Sequence, residues 1–209
     1  MKRDHIMHIP EKWRLDKQSD IFAFIENYSF ATLVSPSLQS SHLPLMLDRD
    51  KQCLIGHFAR SNPHWREFIK DTTKQHLVIF NGPHGYISPS WYANKPAVPT
   101  WNYAVVHIKG CAEILSADET AQALDLLMAK YEPALLDTRD VVTADYQEKL
   151  AHGIVGFKIS IDEIDAKAKL GQHRTKADQQ GVTAALSQSS SPDHQALLNY
   201  MQALKLGIG

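Results

Sequence analysis

With 209 residues, 44% of them hydrophobic and 22% charged, the chain has the composition of an ordinary globular protein and the length for one good-sized core. Lys and Arg total 22 against 23 Asp and Glu, a formal net charge of -1, which excludes the overall basic balance of a dedicated nucleic-acid binder; any DNA contact must come from a local patch or a dimer. Cys53 and Cys111 lie in apolar runs with no CxxC spacing, Met1–Pro10 lacks the apolar core of a signal peptide, and no run reaches the ~18 apolar residues of a membrane span, so the expectation is a cytoplasmic protein with two reduced thiols.

A helix is expected around Ser19–Tyr28, capped by Ser19 or Asp16, with Ile21, Phe22, Phe24 and Ile25 on one apolar face. Phe30–Ser35 (FATLVS) reads as a strand stopped by Pro36, and His42–Leu47 with Cys53–Phe58 as a hairpin around the charged turn Asp48–Lys51. Asn62 before Pro63 predicts a helix start, Asn as N-cap and Pro at the first position, with Trp65, Phe68 and Ile69 on the buried side. His76–Asn81 (HLVIFN) is a strand expected to end at Gly82-Pro83, before a loop from His84 to Pro99 dense in aromatic residues and proline. Trp101–Leu115 is a long strand in which Tyr103, Val105, His107 and Lys109 alternate with Ala104, Val106 and Ile108.

Ser116–Glu119 is a capping box opening a helix to about Tyr131, and a further helical stretch lies near Ala144–Ala151. Gly153–Ile161 (GIVGFKISI) is read as the last strand, with Val155, Phe157, Ile159 and Ile161 on one face. Beyond Leu170 the pattern is helical, broken at Ser187–Ser191 and reopened by Pro192 and Asp193. About six antiparallel strands with few helices between them predict a mainly β (α+β) small barrel rather than a doubly wound parallel sheet. The expected organisation is a barrel domain over 1–165 with helical insertions, and 166–209 as a basic turn and helical tail packed on it.

Three groups of residues could carry chemistry. His57–Pro63 (HFARSNP) sits at a strand-to-helix junction, where free N–H groups and Arg60 suit an anion; Arg60 as a solvated residue beside a capping Asn62 is the competing reading. Tyr86–Tyr92 and Val98–Tyr103 combine flat rings with Ser and Asn, which suits either a planar heterocycle or a subunit interface. Lys167–Lys176 (KAKLGQHRTK) has no acidic residue and could meet a phosphate, a nucleic-acid backbone or only solvent. The eleven histidines, His5 and His8 among them, show no metal-ligand spacing, and G-x-S-x-G, Walker and Rossmann fingerprints are missing, so no metal and no catalytic residue is assigned.

The segments HFARSNPHW, LVIFNGPHGYISPSWY, VPTWNYAVVHIKG, IVGFKISI and KLGQHRTKADQQGV, in that order from MHIP to about Gly181, resemble the PaiB family. The ISPSWY and VPTWNY pair is the specific part of the match. The resemblance implies an FMN-binding split β-barrel related to pyridoxamine-phosphate oxidase, a homodimer with FMN at its interface, and a negative transcriptional regulator affecting protease synthesis and sporulation. It carries cofactor-binding positions to His57, Arg60 and Asn62; to Ser88, Trp91, Trp101 and Asn102; and to Lys169, Gln172 and Arg174. Where that family reads KLSQNR, this chain has Gly171 and His173, which removes one hydroxyl from the turn.

Three functions follow for testing. One is an FMN-linked sensor or regulator. Another is a flavin-dependent oxidoreductase whose chemistry belongs to the cofactor. The third is a binder of haem or another planar ligand, with His57, His84 or His107 as axial candidates. The helical pair over Ala177–Leu204 is a poor DNA reader, because its second helix offers only Gln195, Asn199 and Gln202. A DNA contact would run instead through the basic turn Lys167–Lys176, doubled by a dimer.

Overall fold

The computed structural model describes residues 7–136, 138, 141 and 143–209; His5 lies outside the described residues. No helix among them is long and apolar enough to cross a membrane. The chain divides into two compact units, one built from Met1–Phe24, Asn81–His107 and Asp165–Gly209, the other from Ile25–Phe80 and Ile108–Ile164. The expected mainly β chain with flanking helices is what the strands and helices give.

In the second unit, β1 (Phe30–Val34) pairs antiparallel with β2 (Ser40–Pro44) and with the first half of β5 (Gln75–Ile87). β3 (Met46–Asp48) and β4 (Cys53–Ala59) form the charged hairpin, closed at Asp48↔Cys53. β4 then pairs along its whole length with β7 (Ile154–Ser160), which also meets the end of β6 (Thr100–Ile114). His42–Leu47, read as one strand, is two. Pro44 has no N–H to continue a ladder, and the fully buried Leu45 instead bonds its N–H to Ser29 O at 2.9 Å, so the chain changes partner from β1 to β4.

The helix starts of this unit follow their local signals, though Ile69, expected on the buried side after Pro63, is 59% exposed. Asn62 Oδ1 accepts from His64 N at 3.1 Å at the head of a 3-10 turn, Pro63–Trp65, that runs into α2 (Arg66–Lys70). Ser116 and Glu119 complete the capping box of α3 (Ala117–Tyr131), and Thr143 caps α4 (Ala144–Ala151). α1 (Gln18–Asn27), which belongs to the first unit as far as Phe24, buries Ile21, Phe22, Phe24 and Ile25, its expected face.

The second unit's core is aromatic. Phe157 stacks on Phe58 at 4.7 Å and meets Phe68 edge-on at 5.1 Å, and two histidines sit against the same rings, His64 at 0% and His76 at 1% exposure. Burial pushes both imidazoles below their ordinary 6.5; the nearby Glu67 carboxylate opposes this only in part, and a backbone hydrogen bond at Lys74 also opposes it at His76. Both titrate near 6.5 once unfolded, so below that pH the unfolded chain takes up protons that the folded one refuses. Scanning calorimetry between about pH 8 and pH 5 is expected to show a melting midpoint that is flat above about 7.5 and falls from about 6.5 downward. The lowered carboxyls of Glu67, Asp71 and Glu119 extend the loss to lower pH. A midpoint unchanged down to pH 5 would mean that neither histidine is held neutral.

In the first unit, β5 does not end at Gly82-Pro83, as the sequence predicts, but continues to Ile87. The reason is that Pro83, Gly85 and Ile87 carry on the buried side of the alternation while His84 and Tyr86 stay outside. Beside it runs the first half of β6, and β6 pairs with β8 (Glu163–Lys169), a strand the sequence reading missed. α5 (Lys176–Gln188), capped by Thr175, and α6 (Pro192–Leu204), opened by its proline, close the unit with Val182, Leu186, Leu197, Leu198 and Met201 inside.

Candidate functional site

The outward side of β6 in the first unit carries Trp101, Tyr103, Val105 and His107, because Asn102, Ala104 and Val106 take the buried side of the same alternation. His84 and Tyr86 of β5 flank it. The His84 ring lies 5.8 Å from Trp101, and Tyr86 stands edge-on to Trp101 at 6.3 Å. Trp101 remains 46% exposed and Tyr86 43%, a row of ring faces left open to a flat partner. A cavity of 740 Å³ opens here, walled by Trp101, Tyr103, His84 and His107 and bounded by His8 and Lys167.

β8 brings the charge. Lys167 Nζ donates to His8 O at 3.0 Å and lies 5.2 Å from the centre of the Tyr103 ring and 5.6 Å from that of Trp13. Lys169 Nζ lies 5.5 Å from the Trp13 ring and donates to Thr100 Oγ1 at 2.6 Å and Trp101 O at 2.9 Å. Lys12 and His173 also meet that indole, at 4.9 and 5.9 Å. Four cationic or protonatable groups thus gather on one tryptophan. Among the described residues, Lys12, Lys167, Lys169 and Arg174 form no ion pair with a carboxylate.

The crowding shows in the titrations. Burial, and then the charges of Lys167 and Arg174, hold the Lys169 ammonium below its ordinary value. Burial, and then Lys12, Arg174 and Lys169, do the same to His173. Burial lowers His107 too, against the pull of Asp165, and its Nδ1 is buried without a partner, as are Trp13 Nε1 and Arg174 Nε. Mutually repelling cations and orphaned donors beside open ring faces suit a planar ligand with an anionic tail.

The positions expected from sequence fall into two sets. Trp101 and Lys169 are joined directly by the hydrogen bond above. Gln172 shapes the turn that presents Lys169, accepting from Leu170 N at 2.8 Å and donating to Ala168 O at 2.7 Å. Arg174 stands over the Tyr92 ring at 4.5 Å. Asn102 is 2% exposed on the inner side of β6, toward Gly171. Gly171 itself has φ +82°, a left-handed conformation that a serine would adopt only with strain, so the residue that departs from the PaiB pattern is one the backbone here requires.

Ser88 caps a 3-10 turn, and Trp91 packs edge-on against His194 of α6 at 5.8 Å. His57, Arg60 and Asn62 belong to the second unit. Arg60 gives Nε to His152 O at 2.7 Å and Nη2 to Ile154 O at 2.8 Å, which ties the end of β4 to the start of β7. Asn62 caps its turn and donates to Ser41 Oγ at 3.2 Å, and His57 is half-buried on β4, its imidazole lowered by burial. The residue that sequence reasoning missed is Trp13. Its one local signal was an indole between charged neighbours, and the bridge Arg14↔Lys167 that delivers it to β8 has no trace in sequence.

Comparisons with known proteins bear on the family and the fold. A family model described as "Putative FMN-binding domain" matches residues 7–163. "Protease synthase and sporulation protein PAI 2" of Bacillus subtilis is 36% identical over 206 residues, covering 94% of this chain and 97% of that protein. An uncharacterized protein of Emericella nidulans, AN0679, is 27% identical, covering 80% of this chain and 82% of its own. Among solved structures, the flavocytochrome Anf3 of Azotobacter vinelandii superposes with a TM-score of 0.62 over 78% of this chain and 73% of that one at 14% identity. The FAD and haem binding protein of Mycobacterium smegmatis does so with 0.56 over 76% and 74% at 15% identity. These two likenesses speak to the fold, a split β-barrel.

Proposed function

Because the chain belongs to the FMN-binding domain family, we propose that it binds FMN through the first unit, with the ring on the Trp101 side of the aromatic row and the phosphate on the cations of β8 and the turn after it. The observation that carries this reading is the gathering of Lys12, Lys167, Lys169 and His173 on Trp13, beside exposed rings, with Lys169 and His173 already depressed by burial and then by their cationic neighbours. Such a cluster is relieved by a phosphate dianion. Lys169 has one N–H left after its two bonds, Lys167 presents its charge between two rings, and His107 Nδ1 can donate to or accept from a ring heteroatom. When bound, FMN supplies hydride or electron transfer at its isoalloxazine; the chain's own residues orient it, stack on it and set the field around it.

The test is direct. Purified protein incubated with excess FMN and desalted is expected to retain the visible absorbance of flavin in stoichiometric amount. A colourless protein after desalting, with no binding by fluorescence titration, would remove the proposal.

The finer part of the proposal is a homodimeric, flavin-linked regulator that represses transcription. Its support is the PaiB resemblance and the sporulation protein of B. subtilis, 36% identical. A DNA contact through the Lys167–Lys176 segment predicts a gel shift that weakens with added salt and changes with FMN. A shift indifferent to both would exclude that segment.

A further inference from the structure

The second unit holds a cavity of 630 Å³ of its own, beneath the first turns of α3. α3 turns Ala117, Thr120, Ala121 and Leu124 toward it, one face at helical spacing. The space exists because the helix sits close to β7 while its inward residues are small. Thr120 packs on Gly156, where a Cβ would lie 2.3 Å from Thr120 Oγ1, and alanines at 117 and 121 leave open what leucines would fill.

The polar groups of the wall are fixed in advance. Arg60 has committed Nε and Nη2 to two carbonyls, Trp65 Nε1 donates to Arg60 O at 3.1 Å, and Gln147 Nε2 donates to Asp125 Oδ1 at 2.9 Å. What remains for a ligand is apolar surface, an indole of fixed orientation, the second oxygen of Asp125 and the carboxylate of Asp118, which among the described residues forms no ion pair; these two carboxylates outweigh the one cation of the lining, the Arg60 guanidinium, whose Nε and Nη2 are already held by carbonyls. Preorganised walls of this kind lower the ordering cost of binding.

We infer that this cavity is a second small-molecule site, built for an amphipathic amine whose apolar body fills the space beside Ala117 and Ala121 and whose ammonium faces Asp118 and Asp125. The site is separate from the flavin proposal, since every residue lining it belongs to the second unit.

Calorimetric titration with 4-phenylbutylamine, 4-phenylbutanol and 4-phenylbutyrate tests both the space and its charge. The amine is expected to bind saturably with a Kd of about 1 mM or tighter, the alcohol about fivefold more weakly, and the acid not at all. Ala121→Phe, which fills the cavity, is expected to abolish amine binding while the protein melts no lower than the parent. Should that variant fail to fold, Ala117→Leu replaces it with the same expectation. Asp118→Asn combined with Asp125→Asn is expected to bring the amine down to the affinity of the alcohol. No saturable amine binding to the folded parent, undiminished binding in a folded filled variant, or acid binding as tight as amine would each overturn the inference.

Discussion

Replacing Lys169 with methionine is expected to weaken FMN binding about 10- to 100-fold, the worth of a charge-assisted contact of about 1.5–3 kcal/mol. The same substitution leaves Thr100 Oγ1 and Trp101 O without their donor, so a structural loss must be told apart from an electrostatic one. Thr100→Val removes one of those bonds and keeps the charge; its affinity is expected to stay within about threefold of the parent. The charge has a second signature. In the free chain Lys169 and His173 sit below their ordinary values, and a phosphate dianion beside them favours their protonated forms. Binding near neutral pH is therefore expected to take up protons, read as a calorimetric enthalpy that changes with the ionisation enthalpy of the buffer. Full affinity in Lys169→Met together with no proton uptake would place the phosphate elsewhere.

Phe157→Ala is expected to cost about 3–5 kcal/mol, roughly a fifth or more of the stability of a typical domain. Phe157 is 0% exposed, stacked on Phe58 and edge-on to Phe68, with Gly56 of β4 directly opposite it in the ladder. Removing it opens a hole bordered by the rings of Phe58 and Phe68, which collapse poorly. Denaturant unfolding should show a much lower midpoint, and Phe157→Leu should recover most of the loss. A cost below about 1 kcal/mol would show that the ring cluster is not what holds this unit.

Local chemistry was well written in the sequence. Asn62-Pro63, the Ser116/Glu119 box and Pro192 each specify a helix start with groups only a few residues apart, and each stands where it was expected. The alternation over 101–108 sorted ring faces from core, and with it the aromatic half of the candidate site. What was not legible depends on distant partners. β8 reads EIDAKAK, which alternates charged residues with Ile and Ala but in residue types depleted in strands, and its Asp165, Ala166, Lys167 and Ala168 are all covered, Lys167 made tolerable by His8 O and two rings far away in sequence. Pro83 punctuates a sequence but not this strand. Arg60 had the right company for an anion ligand, yet which acceptor it meets is decided by α4 and β7, about ninety residues on.

The way the two units share the chain orders events during synthesis. The second unit has all its residues once the ribosome has passed Ile164, whereas the first needs three separated stretches, the last of them Asp165–Gly209. The aromatic row of β5 and β6 is therefore made early and waits without the β8 lysines beside it until the final stretch emerges. A nascent chain stalled before Lys167 would carry the ring faces without the charges, and a stop codon at that point would yield a polypeptide prone to self-association and blind to phosphate.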